Sequence, residues 1–437
     1  MATAQQPPDG NEPQEGSIRH WLRLFLSLHL PAMAMGMGLG LSMPVLPEIA
    51  QERFGVSVEV AALVFIVYLI GTAAAPLPTG IIIDRMGRRK ILVAGPIIVA
   101  VSAALTVKAV IDGTFTELLV YRFIAGWGEQ MWLLSRLTVI ADTGSSAQRG
   151  KQVTSMFGVQ QAGAFLGPVI GGFTATLWGL WVPFAIQAVI ILLAFTPTFY
   201  LMRETAPSLT AGATASTGRP ASTPSGSWKT LKAHPIPLVL LVQFLANITR
   251  GGVFAGGVIF LYGSYAYGAT PAELGSLRGV MGVIGIPLTF TVGFIMDRYG
   301  RKVTIVPGLA LAGTAMLFMA STAYAALPFS AFIAAFIAVH LAINLITGNM
   351  QTLGSDIAPP GARGRFFGVS RLTSQTGSVI SPTSFALLSG LAGFGVAFTF
   401  LSSTALVASV LVAVFVRETL QRRPKEEARP EPAVPRA

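Results

Sequence analysis

The chain has 437 residues, 52% of them apolar and 11% charged, carries a net charge of +11 and contains no cysteine. Soluble domains put charge on about a quarter of their residues, so this composition excludes an ordinary water-soluble fold and assigns the chain to lipid. Disulfide and thiol chemistry are excluded with the cysteines.

In chain order, residues 1–17 are polar and rich in Pro, Gly and Gln, which predicts a disordered tail. Twelve apolar spans follow, over 21–47, 58–82, 90–111, 117–141, 152–177, 181–202, 236–262, 272–296, 303–323, 327–351, 366–391 and 394–416. Each is long enough to cross roughly 30 Å of hydrocarbon as an α-helix. Backbone amides in lipid must be bonded within their own segment, and no period-two alternation points to a barrel, so helices are the expected form. Span 1 is too long for the apolar core of a signal peptide and no cleavage site stands out, so it is expected to stay as a helix. A Ser/Thr/Ala/Gly/Pro run over 205–232 has the composition of a flexible linker, and 419–437 is a charged, Pro-rich tail. The expected organisation is an all-α membrane protein with six-helix bundles at 18–204 and 233–418.

The two bundles are copies. Gly80, Asp84, Arg85, Gly87 and Arg88, between spans 2 and 3, return as Gly293, Asp297, Arg298, Gly300 and Arg301, 213 residues later. Asp142 and Arg149 return as Asp356 and Arg363, Pro168 as Pro382, and Arg203-Glu204-Thr205 as Arg417-Glu418-Thr419, each 214 later. Unrelated elements would not keep one register across half a chain, and duplicated hydrophobic halves are one way secondary transporters are built.

The excess positive charge reports topology. Of the 30 Lys and Arg, 23 lie at the chain ends or in the even-numbered loops, two (Arg53 and Lys108) lie on the other side, and five are within spans. Basic loops stay in the cytoplasm during insertion, which predicts cytoplasmic termini and removes nucleic acid as a partner.

Within span 4, Arg122, Glu129 and Arg136 are spaced by seven and share one helical stripe. Each charge costs roughly 2.5–3.5 kcal/mol at mid-membrane, so the stripe is expected to face water or partners inside the bundle. Glu129 is about 10 Å of helix rise from either arginine and needs water or another helix to complete its pairing. Span 5 carries Gly163, Gly167, Pro168, Gly171 and Gly172, a small-residue face suited to close helix packing. Further ionisable or amide groups within spans are His29, Arg250, Arg278, His340, Asn344, Asn349, Arg371 and Gln375. The buried charges fall on spans 1, 4, 7, 8, 10 and 11, and spans 3, 6, 9 and 12 carry none in mid-membrane.

The string from Gly80 to Lys90 resembles the loop 2–3 signature of the major facilitator superfamily, and the resemblance covers all twelve spans. It implies that Asp84 sits against the start of helix 11 and that Arg85 pairs with Asp142. With Arg149, Asp297, Arg298, Asp356 and Arg363 these form a cytoplasmic gate. Arg122 with Gly126 and Gly128 resembles the family's helix 4 signature and implies coupling to protons. The span 5 glycines and Pro168 resemble its antiporter signature, typical of exporters. The family fold also places helices 1, 4, 7 and 10 around a central cavity, with 2, 5, 8 and 11 beside them.

Glu129 is the only carboxylate well inside a span, so it is the expected proton site, assisted by His340. The expected cavity residues are His29, Arg136, Arg250, Arg278, Asn344, Arg371 and Gln375. Interior arginines disfavour a lipophilic cation and favour an anionic or zwitterionic amphiphile. The expectation is a monomeric, proton-driven exporter of a small amphiphile, without cofactor or metal, in a prokaryotic cytoplasmic membrane. The alternative is a proton symporter importing an organic anion. Four histidines without an H-E-x-x-H spacing, and no cysteine, argue against an intramembrane enzyme.

Overall fold

The computed structural model describes residues 25–143, 146–201, 235–254, 257–346, 349–359, 363–416 and 418. The predicted tails and the linker at 205–232 lie outside the described residues. No strand occurs among the described residues, which form twelve helical rods. The first bundle comprises α1 (Phe25–Arg53), α2 (58–86), α3 (Arg88–Ile111), α4 (Phe115–Thr143), α5 (Ser146–Trp178) and α6 (Val182–Leu201). The second comprises α7 (Ile236–Phe254, continued by Val258–Tyr267), α8 (Pro271–Tyr299), α9 (Lys302–Tyr324), α10 (Phe329–Ile346, continued by Asn349–Ile357), α11 (Arg363–Ala392) and α12 (Phe394–Phe415).

Among the described residues nine of these rods contain an 18-residue window apolar enough to cross a membrane unaided. The three that do not are α4, α5 and α11. They are the rods on which the sequence concentrates Arg122, Glu129, Arg136, Gln160, Arg371 and Gln375, so their polarity marks an interior path rather than a soluble element.

Prolines and glycines shape the rods where the sequence places them. Pro31 lies just after a wide π turn over Phe25–His29, and α2 bends at Ala75 immediately before Pro76, whose ring nitrogen has no hydrogen to donate. Gly87 and Gly300 close the turns after α2 and α8 with φ of 92° and 118°, a region glycine enters without penalty.

Packing obeys the repeat. In the first bundle α1 lies on α5 and α6, α3 on α4 and α6, and α2 on α4; in the second, α7 lies on α11 and α12, α9 on α10 and α12, and α8 on α10. Adding six to each helix number converts one set into the other. The two major seams between bundles, α5 with α8 and α11 with α2, also exchange under that rule. The structure is therefore pseudo-twofold in its contacts as well as in its motifs.

Among the described residues the seam is closed by packed side chains at one end. The end carrying the loop after α2 and its repeat after α8 is rich in Arg and Lys, and is called here the basic end. At the opposite end one apolar cluster runs through both bundles, from Met43, Ile49 and Phe65 to Tyr262, Phe332, Phe385 and Phe398. Tyr265 Oη donates to the Val56 carbonyl at 2.8 Å and Ser264 Oγ donates to Gln51 Oε1 at 3.2 Å, both across the seam. Toward the basic end the apolar clusters are each built within one bundle, around Ile83 and Ile91, Val242 and Leu353, or Ala358 and Phe366. There a Cβ added to Gly80, Gly158, Gly293 or Gly368 would meet nothing within 4 Å, so α2, α5, α8 and α11 border open space.

Candidate functional site

The path starts on α4. Close packing of α2 on α4 sets its register: a Cβ on Gly71 would lie 2.3 Å from the Phe123 carbonyl oxygen, and one on Gly126 would lie 2.2 Å from that of Tyr68. Only glycine permits so near an approach. The contact brings Tyr68 between Arg122 and Glu129. Its hydroxyl donates a hydrogen bond to Glu129 Oε2, and the Arg122 guanidinium lies 4.7 Å from the ring centroid. The gap of two helical turns on α4 is thus bridged from α2, by a hydrogen bond to a carboxylate at one end and a cation–π contact at the other. Sequence reasoning missed Tyr68, whose available signal was that it is the lone aromatic hydroxyl in α2.

Arg136 takes a different course. It is 1% exposed, with its guanidinium stacked 4.0 Å from the Trp132 ring centroid and 5.2 Å from that of Phe157. Arg136 Nη2 donates to Gln160 Oε1 on α5 at 3.0 Å. From the other side of α5, His29 Nε2 of α1 hydrogen-bonds Ser155 Oγ at 3.0 Å.

The second bundle contributes from four helices. Arg278 is 5% exposed and its guanidinium lies 5.8 Å from the Phe165 ring centroid, across the seam. His340 is buried and stacked on Phe336 at 4.0 Å, with Nδ1 bonded to the Phe336 carbonyl at 2.9 Å and Nε2 without a hydrogen-bond partner. Asn344 is buried against Gly285 of α8. Arg250 is half-buried on α7, Arg371 is exposed on α11, and Gln375 is half-buried one turn farther along. His340 is therefore on α10 and is not part of the Tyr68–Glu129 contact, which is built from α2 and α4.

The α5 glycine motif faces two partners at once. A Cβ on Gly163, Gly167 or Gly171 would lie 2.1–2.4 Å from the carbonyl oxygens of Met33, Met37 and Leu41 on α1. Gly172 instead faces the other bundle, where its Cβ would lie 2.2 Å from the Pro271 carbonyl oxygen, and a Cβ on Gly275 would lie 2.1 Å from that of Pro168. The motif fastens α5 to its own bundle and presses it against α8 at the closed end.

At the basic end the side chains of Asp84, Asp142, Arg149, Asp297 and Arg363 lie outside the described residues, as does that of Asn349. Arg85 is exposed beside Gly87, and the Arg88 carbonyl accepts from Ser135 Oγ at 2.6 Å. Arg298 lies over the Tyr299 ring. Asp356 makes an ion pair with Arg301, the repeat of Arg88, at 3.2 Å. Glu418, of the repeated Arg-Glu-Thr, accepts from the Arg301 and Lys302 amides at 2.8 and 2.9 Å and so caps the start of α9. The sequence revealed that triplet as a landmark without a role.

Comparisons with known proteins agree with this architecture. A family profile described as Major Facilitator Superfamily matches residues 28–265 and 251–437. Similar curated relatives include the multidrug resistance protein MdtL of Klebsiella pneumoniae strain 342, 34% identical over 126 residues, 29% of this chain and 31% of that protein. Another is the class B tetracycline resistance protein of Escherichia coli, 26% identical over 288 residues, 64% of this chain and 68% of that protein. The first of these alignments thus spans under a third of the relative's length. Among solved structures, a D-xylose-proton symporter superimposes with a TM-score of 0.73 at 17% identity, over 92% of this chain and 99% of its own.

Proposed function

We propose, for a chain that belongs to the major facilitator superfamily and is a multi-pass membrane transporter, that it exports a small amphiphilic organic compound in exchange for protons. The observation that carries this reading is the Glu129 carboxylate, held between arginines on one stripe of α4 and gripped by Tyr68 from α2. A proton arriving at Glu129 cancels the charge that holds the Tyr68 hydroxyl, and frees α2 to move against α4. Loss of the proton restores that contact. Occupancy of one carboxylate is thereby linked to the relative position of two helices that border the seam.

Direction is supported by the α5 motif and by relatives named for drug resistance. The basic end is read as cytoplasmic, with both termini there, in a bacterial inner membrane. The structure then corresponds to the state open to the cytoplasm, sealed outside by α5 on α8. The gate residues Asp84, Arg85 and Asp142, with their repeats Asp297, Arg298 and Asp356, draw the cytoplasmic end shut in the other state. The driving force is the proton gradient, with no cofactor, and the working unit is a monomer.

The test is reconstitution in liposomes enclosing a pH-sensitive dye, with anionic, neutral and cationic amphiphiles presented in turn. Export predicts proton movement opposite to the solute and its loss in Glu129→Gln. Protons moving with the solute would replace this reading by import, and counterflow that persists in Glu129→Gln would remove Glu129 as the proton site.

A further inference from the structure

The charge of Arg136 has a counterpart, but its hydrogen bonds are incomplete. Glu129, on the same stripe of α4, acts on it electrostatically with the opposite sign. Of its donors, Nη2 goes to Gln160 Oε1 at 3.0 Å, while Nε and Nη1 have no hydrogen-bond partner among the described residues, on a side chain only 1% exposed. Buried donors are ordinarily paired, and a guanidinium has no acceptor of its own. Arg136 is therefore short of acceptor oxygens rather than of negative charge.

Packing shapes the place where such oxygens would enter. The N–H bonds of a guanidinium lie in its plane, so a ligand meets them edge on, with Trp132 and Phe157 beside it as flat walls. Trp132 is fixed from behind: it is 1% exposed, packs edge-on against Phe195 of α6 at 6.1 Å, and a Cβ on Gly95 of α3 would lie 2.9 Å from its own. Gln160 is fixed by α1, because a Cβ on Gly36 would run into its carbonyl. Phe157 is the wall with freedom to turn. It is 38% exposed and adjoins Gly158, which borders open space.

The repeat sets this cluster apart from a simple helix tie, which would serve both bundles alike. At the offset of 214, the places of Trp132, Arg136, Phe157 and Gln160 are taken by Ile346, Met350, Arg371 and Ser374. The second bundle does not repeat it.

We propose that Arg136, with Trp132 and Phe157 as aromatic walls, is a subsite for a flat, uncharged carbonyl group of the transported compound, such as an aryl ketone, amide or lactone, whose oxygen accepts from the open edge of the guanidinium. A hydrogen bond from a charged donor to such an oxygen is among the strong ones. An ionised acid fits less well: negative charge beside Arg136 would draw a proton to Glu129, so that solute and proton load together, whereas exchange loads them in turn. The inference rests on the transporter reading and refines its substrate.

The test is equilibrium dialysis of the full-length protein in nanodiscs, with empty nanodiscs as the blank, against three compounds on one aromatic frame: 2-dimethylaminonaphthalene, its 6-propionyl ketone and its 6-carboxylate. The ketone is expected to bind saturably and about tenfold more tightly than the bare frame, the scale of a hydrogen bond to a charged group. Arg136→Met is expected to erase that advantage and to leave binding of the bare frame unchanged. Gln160→Met, which frees a further N–H without altering the arginine, is expected to keep the advantage. Equal binding of ketone and bare frame by the parent protein would overturn the subsite without recourse to any variant. An advantage that survives Arg136→Met, or one lost equally in Gln160→Met, would overturn it too, the second because it marks a structural tie. Arg136-dependent binding of the carboxylate more tightly than the ketone would overturn the uncharged assignment. Proton counterflow with the bare frame, unchanged in Arg136→Met, would overturn the subsite and leave the exporter reading standing. Arg136-dependent ketone binding with no proton-coupled movement of any of the three compounds would support the subsite and remove the exporter reading.

Discussion

The two bundles repeat each other at the membrane surface and diverge along the central path. The loop after α2 and the loop after α8 share their Gly-x-x-x-Asp-Arg-x-Gly-Arg string at an offset of 213, and the helix contacts exchange under one rule. Along the path the offset of 214 sets Arg122, Glu129 and Arg136 opposite Phe336, Ile343 and Met350, and Arg250 and Arg371 opposite Gly36 and Phe157. Symmetry persists where both bundles must make the same hinge and clasp. It is lost along the path, where a carboxylate flanked by arginines lies on one side and arginines with a buried histidine on the other.

The sharpest way to break this comparison is to remove the carboxylate. Glu129→Gln is expected to reduce proton-coupled transport to the level of protein-free liposomes, while binding of the transported amphiphile persists. Joint loss of both would mean that proton and amphiphile share a single site. Their separate failure would confirm that they use different groups.

Next in expected size is the closed end. Gly172→Leu drives a side chain into the Pro271 carbonyl, which a Cβ alone would already approach to 2.2 Å, on a backbone that cannot recede without parting α5 from α8. The substitution is expected to shift the population toward the state open at that end and to slow the transport cycle. The chain has no cysteine of its own, so spin labels at Met86 and Phe367, both exposed near the basic end, report the change directly. Their separation is expected to shorten in Gly172→Leu. An unchanged distance distribution would show that the α5–α8 contact does not set the state.

Tyr68→Phe is a subtler probe of the first bundle. It keeps the ring under Arg122 and removes only the hydroxyl bonded to Glu129. Hydrogen bonds to charged groups contribute about 1.5–3 kcal/mol, so proton-coupled transport is expected to fall by roughly tenfold or more without loss of folded protein. Tyr68→Leu, which also removes the cation–π contact, is expected to fall further. Equal activity of Tyr68→Phe and the parent chain would reduce Tyr68 to packing.

How much of this was legible in the sequence depends on whether a residue announces its own cost. Arginines and a glutamate inside apolar spans are expensive enough to be informative singly, and the apolar spans with their repeat made the two helical bundles legible. The α5 motif was visible as close packing, but its second partner, α8, was not, because a glycine's neighbour is fixed by the tertiary register. Tyr68 was invisible for a related reason: tyrosine is at home in an apolar helix, and only the Gly71–Gly126 contact turns its hydroxyl into a bridge. The Asp356–Arg301 ion pair was not legible, because Arg301 lies beyond the Gly300 turn and only the tertiary fold brings it to α10.

The smallest effect is expected at Glu418, where the comparison between bundles is purely structural. Its carboxylate accepts from the Arg301 and Lys302 amides at the exposed start of α9, and Lys302 Nζ reaches the Ala413 carbonyl at 2.7 Å, so the ends of α9 and α12 are tied together. Loss of an N-terminal cap typically costs about 0.5–2 kcal/mol, so Glu418→Ala is expected to lower the melting temperature of the purified protein slightly and to leave probe binding intact. The repeat makes a paired prediction: if Glu204 caps α3 as Glu418 caps α9, Glu204→Ala has an effect of the same size. The double variant is then expected to lose the sum, because the two residues belong to different bundles. A double variant that loses much more than the sum would mean that the caps act through a common closure of the basic end.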